Sequence, residues 1–336
     1  MDDQPTQQDL IDAHCWFDSD KVGGPLMTSF KRETRWRQHR WAADQLSIAS
    51  FGTHAGRRLH PDVPPEEIDN GTKLLDGDAE AGSNFLTPLI FQVAQERVAT
   101  QQPHETLDDK RLYRDLLSSM PMAFNLFGEA LRPENEVSRQ ALATLFGVST
   151  DDPSDIIFEW SPARRSPEYT RDRTAFDVAL RIGSEAAPRT VVGIETKYHE
   201  HSAKEAKPSK NKPGALARYE EQTEFLVHVA EKSGVLKTGW QDSVLNTDLR
   251  QIWRDHLLAL SMRANPSAWT ADTRYVLLYP SRNVSFETAS AAYSKLLIDG
   301  DTSFQALALE GVVDAAFAHG GSTKERFVQR YLWWVR

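Results

Sequence analysis

The sequence predicts an α/β protein, and three features support this prediction. Apolar segments with the alternation typical of β-strands recur along the chain, at residues 155–160, 174–182, 191–198 and 273–280. Glycine and proline separate the second of these segments from the third, which predicts a β-hairpin. Segments with helical spacing of apolar residues precede the first strand and separate the third from the fourth, at residues 107–131, 216–232 and 248–263. This order of strands and helices indicates a sheet covered by helices.

The N-terminal part is predicted to be helical, with a long loop. Residues 1–28 show no sustained periodicity and are predicted to form a loose leader, whereas residues 30–50 and 84–99 have helical spacing. Between these two helices, residues 52–84 are rich in glycine, proline and aspartate and are predicted to form a loop.

The first of these helices combines aromatic and basic residues. Trp36, Arg37, Arg40, Trp41 and Gln45 have spacings that would place them near one another on its surface. Such a face can stack on bases and bind phosphate. Tryptophans at helical spacing belong more often to a core, and we prefer that interpretation.

The helix over residues 107–131 has a broad apolar stripe and should pack against the sheet. Pro121 lies within it and indicates a kink or a restart. After the last predicted strand, two further helices are expected over residues 285–297 and 303–318. The aromatic segment FVQRYLWWVR that follows would cover one end of the sheet or form an oligomer contact, which leaves a homodimer open.

Composition narrows the class of protein. The formal net charge is −9, yet basic residues are concentrated at 31–40, 164–173, 197–212 and 324–336, which is compatible with a basic cleft on an acidic body. A single cysteine, Cys15, excludes an intramolecular disulfide and a cysteine-rich zinc module. The acidic N-terminus is unlike a signal peptide, and no apolar run approaches the roughly 20 residues of a transmembrane helix. We therefore expect a cytoplasmic protein.

The predicted hairpin gathers charged residues beside an apolar scaffold. Because side chains alternate along a strand, Glu195 and Lys197 should project from one face, with Thr196 pointing away between them. Asp177 can face them from the neighbouring strand. Two carboxylates and one ammonium group would then lie close together.

A hard divalent cation would explain this arrangement. Mg2+ binds oxygen ligands, and Asp177, Glu195 and the main-chain carbonyl of Thr196 form a suitable ligand set. Lys197 could orient or help to deprotonate a water that attacks a phosphodiester. The alternative is that Glu195 and Lys197 form a surface ion pair, which typically contributes less than about 1 kcal/mol.

The whole stretch resembles the D…ExK motif of the PD-(D/E)xK nuclease superfamily. Asp177 lies in an apolar strand, a hairpin turn follows, and the sequence IETK occupies residues 194–197. Phe176 stands where the motif commonly has proline, a variation that leaves the metal ligands in place. The resemblance implies a restriction-endonuclease-like αβββαβ core and cleavage of DNA with Mg2+ or Mn2+. Helical additions would precede and follow that core, which gives a division into residues 1–106, 107–281 and 282–336.

The resemblance also suggests supporting residues. A helix before the first strand often carries an acid near the metal, which points to Glu129, and Glu159 on the first strand could approach from the side. The helix after the ExK strand often presents a polar residue to the site, which points to Gln251 and Arg254. Each of these four residues could equally be an ordinary surface residue.

Arginines in the loop between the first two predicted strands are candidates for contacts with phosphate. They are Arg164, Arg165, Arg171 and Arg173. A solvated loop would have the same composition. The neighbouring triplet HEH at residues 199–201 does not have the HExxH spacing of a zinc site, so we expect no zinc there.

The sequence therefore predicts a metal-dependent deoxyribonuclease, of restriction, phage-defence or repair type. Two alternatives stay open at this point: a catalytically silent protein that binds nucleic acid or a partner through the same scaffold, and a nuclease that acts on RNA or branched DNA. No nucleotide-binding motif is present, so any motor or modification activity would require a separate partner subunit.

Overall fold

A computed structural model describes residues 4–17, 19–20, 28–56, 64–148, 154–184, 187–208, 213–265 and 272–335. Parts of the basic segments 197–212 and 324–336 lie outside these ranges. Within them, no helix combines the length and the apolar character needed to cross a membrane.

A mixed five-stranded sheet forms the centre of the protein. Its strands are β3 (Ser154–Trp160), β4 (Phe176–Ser184), β5 (Ala187–Thr196), β6 (Asp272–Tyr279) and β7 (Phe304–Ala308), and their spatial order follows the chain. The first three strands are antiparallel, whereas β6 and β7 run parallel to β5. In this register Val178 pairs with Ile194, and Glu195 pairs with Leu277.

Helices and a small hairpin precede the sheet. They are α1 (Gln7–Asp12), α2 (Ser29–Leu46), β1 (Thr53–Ala55), β2 (Glu67–Asp69), α3 (Asp76–Glu80), α4 (Pro88–Ala99), α5 (Asp109–Arg114), α6 (Ser119–Phe127), two 3-10 turns (Glu129–Leu131 and Pro133–Asn135) and α7 (Glu136–Leu145).

The remaining helices lie between the last strands or follow them. They are α8 (Ala215–Ser233), α9 (Trp240–Val244), α10 (Arg250–Ala264), α11 (Val284–Ser294), α12 (Glu310–Ala316) and α13 (Thr323–Tyr331).

Each face of the sheet has its own hydrophobic core, because alternate side chains point to opposite faces. On the first face, Val192 and Ile194 of β5 pack with residues of α4, α6, α7, α12 and α13. On the second face, Val191 of β5 and Leu277 of β6 pack with residues of α8, α9, α10 and α11. The segment before the sheet, the sheet itself and the segment after it all contribute to the core of the first face.

The predicted α/β fold with an αβββαβ core is confirmed. Helix α6 comes before three antiparallel strands, and α8 to α10 then lead to the parallel strand β6. Helix α6 begins at Ser119 because the hydroxyl of Ser118 caps its N-terminus, and Pro121 is tolerated in the first turn, where its missing N–H has no helical partner. Pro121 thus marks a restart rather than a kink.

Three predictions of secondary structure were wrong. Residues 303–318 were expected to be one helix, but β7 occupies their first part, since Phe304 packs among aromatic rings and residues 304–308 pair with β6. Pairing to an existing strand has overridden the helical preference of alanine and leucine. The loop predicted over residues 52–84 contains β1, β2 and α3, and the N-terminal segment contains α1, whose capping box starts at Thr6.

Candidate active site

Glu195 and Lys197 lie side by side where β5 ends. The backbone N–H of Lys197 donates to the carbonyl of Leu278 at 2.8 Å, which extends the pairing of β5 with β6. The ammonium group of Lys197 donates to Oε1 of Glu195 at 2.6 Å, and the two side chains are only 10% and 11% exposed. Lys197 also lies 6.0 Å from the ring centre of Phe286 on α11, so both side chains belong to the second face of the sheet.

Asp177 is attached to the same strand from its neighbour. Its Oδ2 accepts hydrogen bonds from the backbone N–H of Thr196 at 2.8 Å and from the hydroxyl of Thr196 at 2.7 Å. The hydroxyl of Thr196 also approaches the carbonyl of Ser119 on α6, on the first face. The predicted alternation of Glu195, Thr196 and Lys197 is thus observed. Both bonds use Oδ2, which leaves Oδ1 of Asp177 available to another ligand.

Glu159 lies opposite Asp177 on β3. Phe158 pairs with Val178 and Trp160 pairs with Phe176, which places Glu159 opposite Asp177. Glu159 is buried and has a φ of 51°, in the left-handed region, which costs a non-glycine residue about 1–2 kcal/mol. Strain of this kind is maintained only where the surroundings enforce it.

A fourth acid, Asp255, comes from α10. It is 8% exposed, and its Oδ2 is buried without a hydrogen-bond partner in the described structure. Neighbouring Arg254 does not neutralise this oxygen, because its guanidinium bonds to Glu205 and Asp172 instead. An unpaired buried carboxylate oxygen costs several kcal/mol unless a ligand or a proton satisfies it.

The electrostatics of the site reflect an excess of negative charge. Burial raises the pKa of Glu159 and of Asp255 to about 7 each, and the charge of Asp177 adds to both shifts. Burial also raises the pKa of Asp177 and, more strongly, that of Glu195. Burial acts to lower the pKa of Lys197, but the charges of Glu195 and Asp177 outweigh it and raise that pKa. The ammonium group of Lys197 and the guanidinium of Arg164, which lies 3.7 Å from the carboxylate of Glu159, therefore face four largely buried carboxyl groups.

This donor set fits a divalent cation that prefers oxygen. Asp177 and Glu195 would supply carboxylate oxygens, and the cation would offset the burial and the repulsion that raise their pKa values. No group of three or more histidine, cysteine, aspartate or glutamate side chains in the described parts of the chain has the geometry of a metal site. Mg2+ suits a site with few protein ligands because it keeps several of its waters. Coordination by the carbonyl of Thr196 stays a prediction.

Comparison with known protein families agrees with this geometry. The model of a family described as the PD-(D/E)XK nuclease superfamily matches residues 19–333. The chain belongs to the PD-(D/E)XK nuclease superfamily. Comparisons with curated proteins and with solved structures found no match. Members of the superfamily are generally phosphodiesterases that use divalent metals, usually Mg2+ or Mn2+, so the chain is assigned to a class of metal-dependent nucleases with nucleic acid as substrate.

Superfamily membership suggested Glu129 as a helix-borne acid, but the structure gives this residue other partners. Its carboxylate accepts hydrogen bonds from the hydroxyls of Thr87 and Thr323 at 3.1 and 3.0 Å. Its second oxygen lies 3.2 Å from the imidazole of His319. These contacts join α4, the 3-10 turn and α13, and none of them is with Asp177 or Glu195.

On α10, Asp255 is an acid that interacts with Lys197 and Asp177, and a role of Gln251 or Arg254 at the site stays a prediction. Arg254 joins Glu205 at 2.7 Å and approaches Asp172 at 3.4 Å, which ties the helix to two loops. Gln251 lies one helical turn before Asp255 and is only half-buried. The sequence contained a signal for Asp255: it is the charged residue on a buried stripe formed with Ile252, three positions earlier, and Ala259, four positions later.

Two of the four loop arginines are held by neighbouring residues, and the other two are exposed. The guanidinium of Arg164 donates to the carbonyls of Arg173 and Glu159 and lies 3.7 Å from the carboxylate of Glu159. Arg171 bonds to Gln222 and Glu221 and lies over the ring of Phe225. Arg165 and Arg173 have exposed side chains. A role of these arginines in binding phosphate stays a prediction.

Residues 198–200, which directly follow Lys197, form a tight turn next to the candidate site. The carboxylate of Glu200 accepts from the backbone N–H of Tyr198 at 2.6 Å, which turns the chain sharply. Burial acts to raise the pKa of Glu200, but His199 and Lys197 outweigh it, so that pKa lies below its ordinary value. Glu200 therefore stays ionised and adds to the negative field around Lys197.

Proposed function

We propose that this protein is a divalent-metal-dependent nuclease that hydrolyses phosphodiester bonds of DNA at the site of Asp177, Glu195 and Lys197. One observation supports this proposal above the others. The ammonium group of Lys197 lies among the largely buried carboxyl groups of Asp177, Glu195 and Asp255, and a 2.6 Å hydrogen bond holds it to Glu195. A protein that only bound nucleic acid would gain nothing from burying this excess of negative charge, which repels phosphate.

Each residue has a distinct role in the proposal. Asp177, Glu195 and the carbonyl of Thr196 would hold the ion, which when bound lowers the pKa of a water and draws charge from the phosphoryl oxygen. Thr196 holds Asp177 in place through two hydrogen bonds. Lys197 would orient the attacking water and balance the negative charge that develops as the phosphorus becomes five-coordinate. Glu159 and Asp255 complete an acidic wall that binds the cation more strongly than two carboxylates alone.

The compartment, the biological role and the division of the chain are part of the same proposal. We propose a cytoplasmic endonuclease of restriction, phage-defence or repair type, with a core over residues 107–281 and helical additions in residues 1–106 and 282–336. The single cysteine is compatible with a reducing compartment.

The test is cleavage of supercoiled plasmid DNA with Mg2+, Mn2+ or Ca2+, or with a chelator. We expect nicked and linear products with Mg2+ and Mn2+, little turnover with Ca2+ because its looser coordination positions the water less well, and none with the chelator. Glu195→Gln should lower the rate roughly 10³-fold or more. Glu231→Gln, at an exposed position of α8, is the matched control and should cleave like the parent.

Two results would contradict the proposal. Near-parental cleavage by Glu195→Gln would show that the reaction uses another site. Binding of DNA without metal-dependent cleavage of duplex, single-stranded or branched DNA would favour a silent binding protein, and cleavage of RNA alone would change the substrate.

A further inference from the structure

One side of α2 forms a second surface with unusual composition, together with residues from the turn after β6 and from the segment after α13. We call this surface the Arg–Trp face. Its members are Arg32, Trp36, Arg37, Arg40, Arg282 and Trp333. None of them belongs to the candidate active site, and none is among the arginines first considered for contacts with phosphate.

Guanidinium groups and indole rings alternate across this face. The guanidinium of Arg37 lies 5.0 Å from the ring centre of Trp36 and 4.8 Å from that of Trp333. Arg282 lies 4.6 Å from the ring centre of Trp333, and Arg40 lies 5.7 Å from that of Trp36. A cation–π contact holds a guanidinium by its flat face, so that its N–H donors point outward from the edge of the group. Less side-chain freedom is then lost when those donors bind a ligand.

The face carries positive charge on an acidic protein. The side chains of Arg40 and Arg282 are 53% and 33% exposed. Glu33 lies between Arg37 and Arg282, at 3.8 and 3.0 Å, and Asp44 pairs with Arg40 at 2.9 Å. Arg32 also interacts with the carboxylate of Asp20, and among the other side chains described on this face three guanidinium groups stand against two carboxylates, although the whole chain has a net charge of −9. A local positive field of this kind attracts a polyanion.

The Arg–Trp face is continuous with the active site. The side-chain amide of Asn283 donates to the carbonyls of Tyr198 and Glu200, at 3.0 and 2.8 Å, so the turn that carries Arg282 is attached to the segment after Lys197. A cavity of about 480 Å³ lies at this junction, lined by Phe30, His201 and Arg282 among others. The turn that carries Arg282 and the start of α2 therefore border the segment that follows Lys197.

The core interpretation of the tryptophans on α2 holds fully for Trp41 and in part for Trp36. Trp41 is 6% exposed and packs on the buried guanidinium of Arg330 at 4.3 Å. Trp36 is half-buried: one part of it packs against the small cluster of Leu10, Ala13 and Cys15, and its ring also contacts arginines that reach the surface. The two residues lie on different sides of the helix, and only the side of Trp36 is available to a ligand.

We propose that the Arg–Trp face binds the phosphate backbone of DNA on one side of the scissile bond. This inference rests on the proposed nuclease function and adds to it the path of the substrate. Contacts of this type carry no sequence information, so the face supplies affinity and register, whereas base recognition has to come from elsewhere.

The test is the salt dependence of DNA binding, measured in Ca2+ by the anisotropy of a labelled duplex. Removal of one arginine that neutralises a phosphate should reduce the slope of log K against log[salt] by about 0.9. The slope is negative, and the triple variant Arg37→Gln, Arg40→Gln, Arg282→Gln should make it shallower by roughly two to three units. Arg40→Gln alone should make it shallower by about one unit. Arg40 does not stack on Trp333, so the single variant remains informative if the triple variant is poorly folded.

A control variant replaces three exposed basic residues that also pair with acids: Arg132, Lys237 and Lys324. This variant should keep the parental slope. An unchanged slope in both Arg40→Gln and a folded triple variant would overturn the inference and leave the Arg–Trp contacts a purely structural role. A parent protein that does not bind DNA, or a loss of slope with RNA only, would overturn it as well.

A small phosphodiester separates this inference from the proposed function. Metal-dependent hydrolysis of bis(4-nitrophenyl) phosphate by the parent protein engages the reaction centre but has no flanking nucleotides. If the parent neither hydrolyses this compound nor cleaves DNA, the nuclease proposal fails, whereas the slope measurement still decides whether the face binds DNA. If it hydrolyses the compound and the slopes do not change, only the Arg–Trp face is wrongly assigned.

Discussion

Two groups of buried charged side chains in this protein differ in their charge balance. Between α2 and the segment before it, the guanidinium of Arg35 makes two hydrogen bonds of 2.7 Å to Asp20, and the two side chains are 3% and 0% exposed. The pair is neutral, and a further bond to the carbonyl of Cys15 satisfies the guanidinium. At the candidate active site, the ammonium group of Lys197 and the guanidinium of Arg164 face four carboxyl groups, and Oδ2 of Asp255 has no partner in the described structure.

The difference separates a structural arrangement from a functional one. A balanced, fully hydrogen-bonded pair stabilises one conformation and has no affinity left for a ligand. An unbalanced cluster lowers the stability of the free protein and is compatible with folding only because protons or a cation can neutralise it. The location of the imbalance is therefore better evidence for a metal site than the number of acids.

The largest effect is expected from removing Lys197, the cation that is hydrogen-bonded to Glu195 in the unbalanced cluster. Lys197→Met should slow single-turnover cleavage by roughly 10² to 10⁴, the range typical for loss of a group that assists proton transfer. Ca2+ affinity should stay the same or increase, because an opposing charge is removed. The measurements are single-turnover cleavage in Mg2+ and calorimetry in Ca2+. Loss of DNA affinity with an unchanged rate on saturated protein would instead place Lys197 on a binding surface.

Breaking the balanced pair should affect folding and not chemistry. Asp20→Asn leaves the guanidinium of Arg35 buried without a counter-charge and should lower the free energy of unfolding by about 3–5 kcal/mol. Denaturation in urea measures this loss, and metal binding at temperatures where the variant is folded should be parental. The double variant Asp20→Leu, Arg35→Met should recover part of the loss. A change in Ca2+ affinity for Asp20→Asn would show that the two clusters are coupled.

The smallest effect, and the one most specific to the imbalance, concerns Asp255. Its pKa of about 7 lies above the unfolded value of 3.8, so the folded protein binds a proton that the unfolded chain has released, and stability is lost as pH rises through this window. Asp255→Asn removes that loss. In chelator, its melting temperature should therefore exceed that of the parent at pH 8 and approach it near pH 4.

Mg2+ provides a second measurement on the same residue. The cation should raise the melting temperature of the parent more at pH 8 than at pH 5, because only ionised carboxylates bind it. Asp242→Asn, at an exposed position of α9, is the control and should follow the parent at every pH. Equal pH profiles for Asp255→Asn and the parent would mean that Asp255 is ionised and satisfied in the folded protein.

The sequence predicted those parts of the structure that depend on local pattern. Alternation and turn residues were sufficient for β4 and β5, and through them for the proximity of Asp177, Glu195 and Lys197, because a hairpin register is a local property. The roles of these residues are still predictions. β7 could not be predicted, since Phe304–Ala308 has no strand-like alternation and pairs only because β6 is already in place.

Residues brought together over long distances in sequence were harder to predict. Asp255 reaches the site only through the packing of α10 on β6, and its place on a buried stripe was the only local signal. Glu129 was a reasonable candidate by position, but its partners His319 and Thr323 are 190 or more residues away. No periodicity could have indicated that contact.

The buried network around Arg330 has a consequence for how the protein is made. Arg330 donates to Gln38, 292 positions earlier in the chain, and the side-chain amide of Gln38 donates to the hydroxyl of Tyr198, the residue after Lys197. During synthesis, this support behind the reaction centre cannot form until residue 330 has left the ribosome, and contacts of such long range also form late in folding. A nascent chain would thus carry all the residues proposed for catalysis well before it could hold them in place, so a nuclease of this design acquires its activity only when translation has passed the whole core.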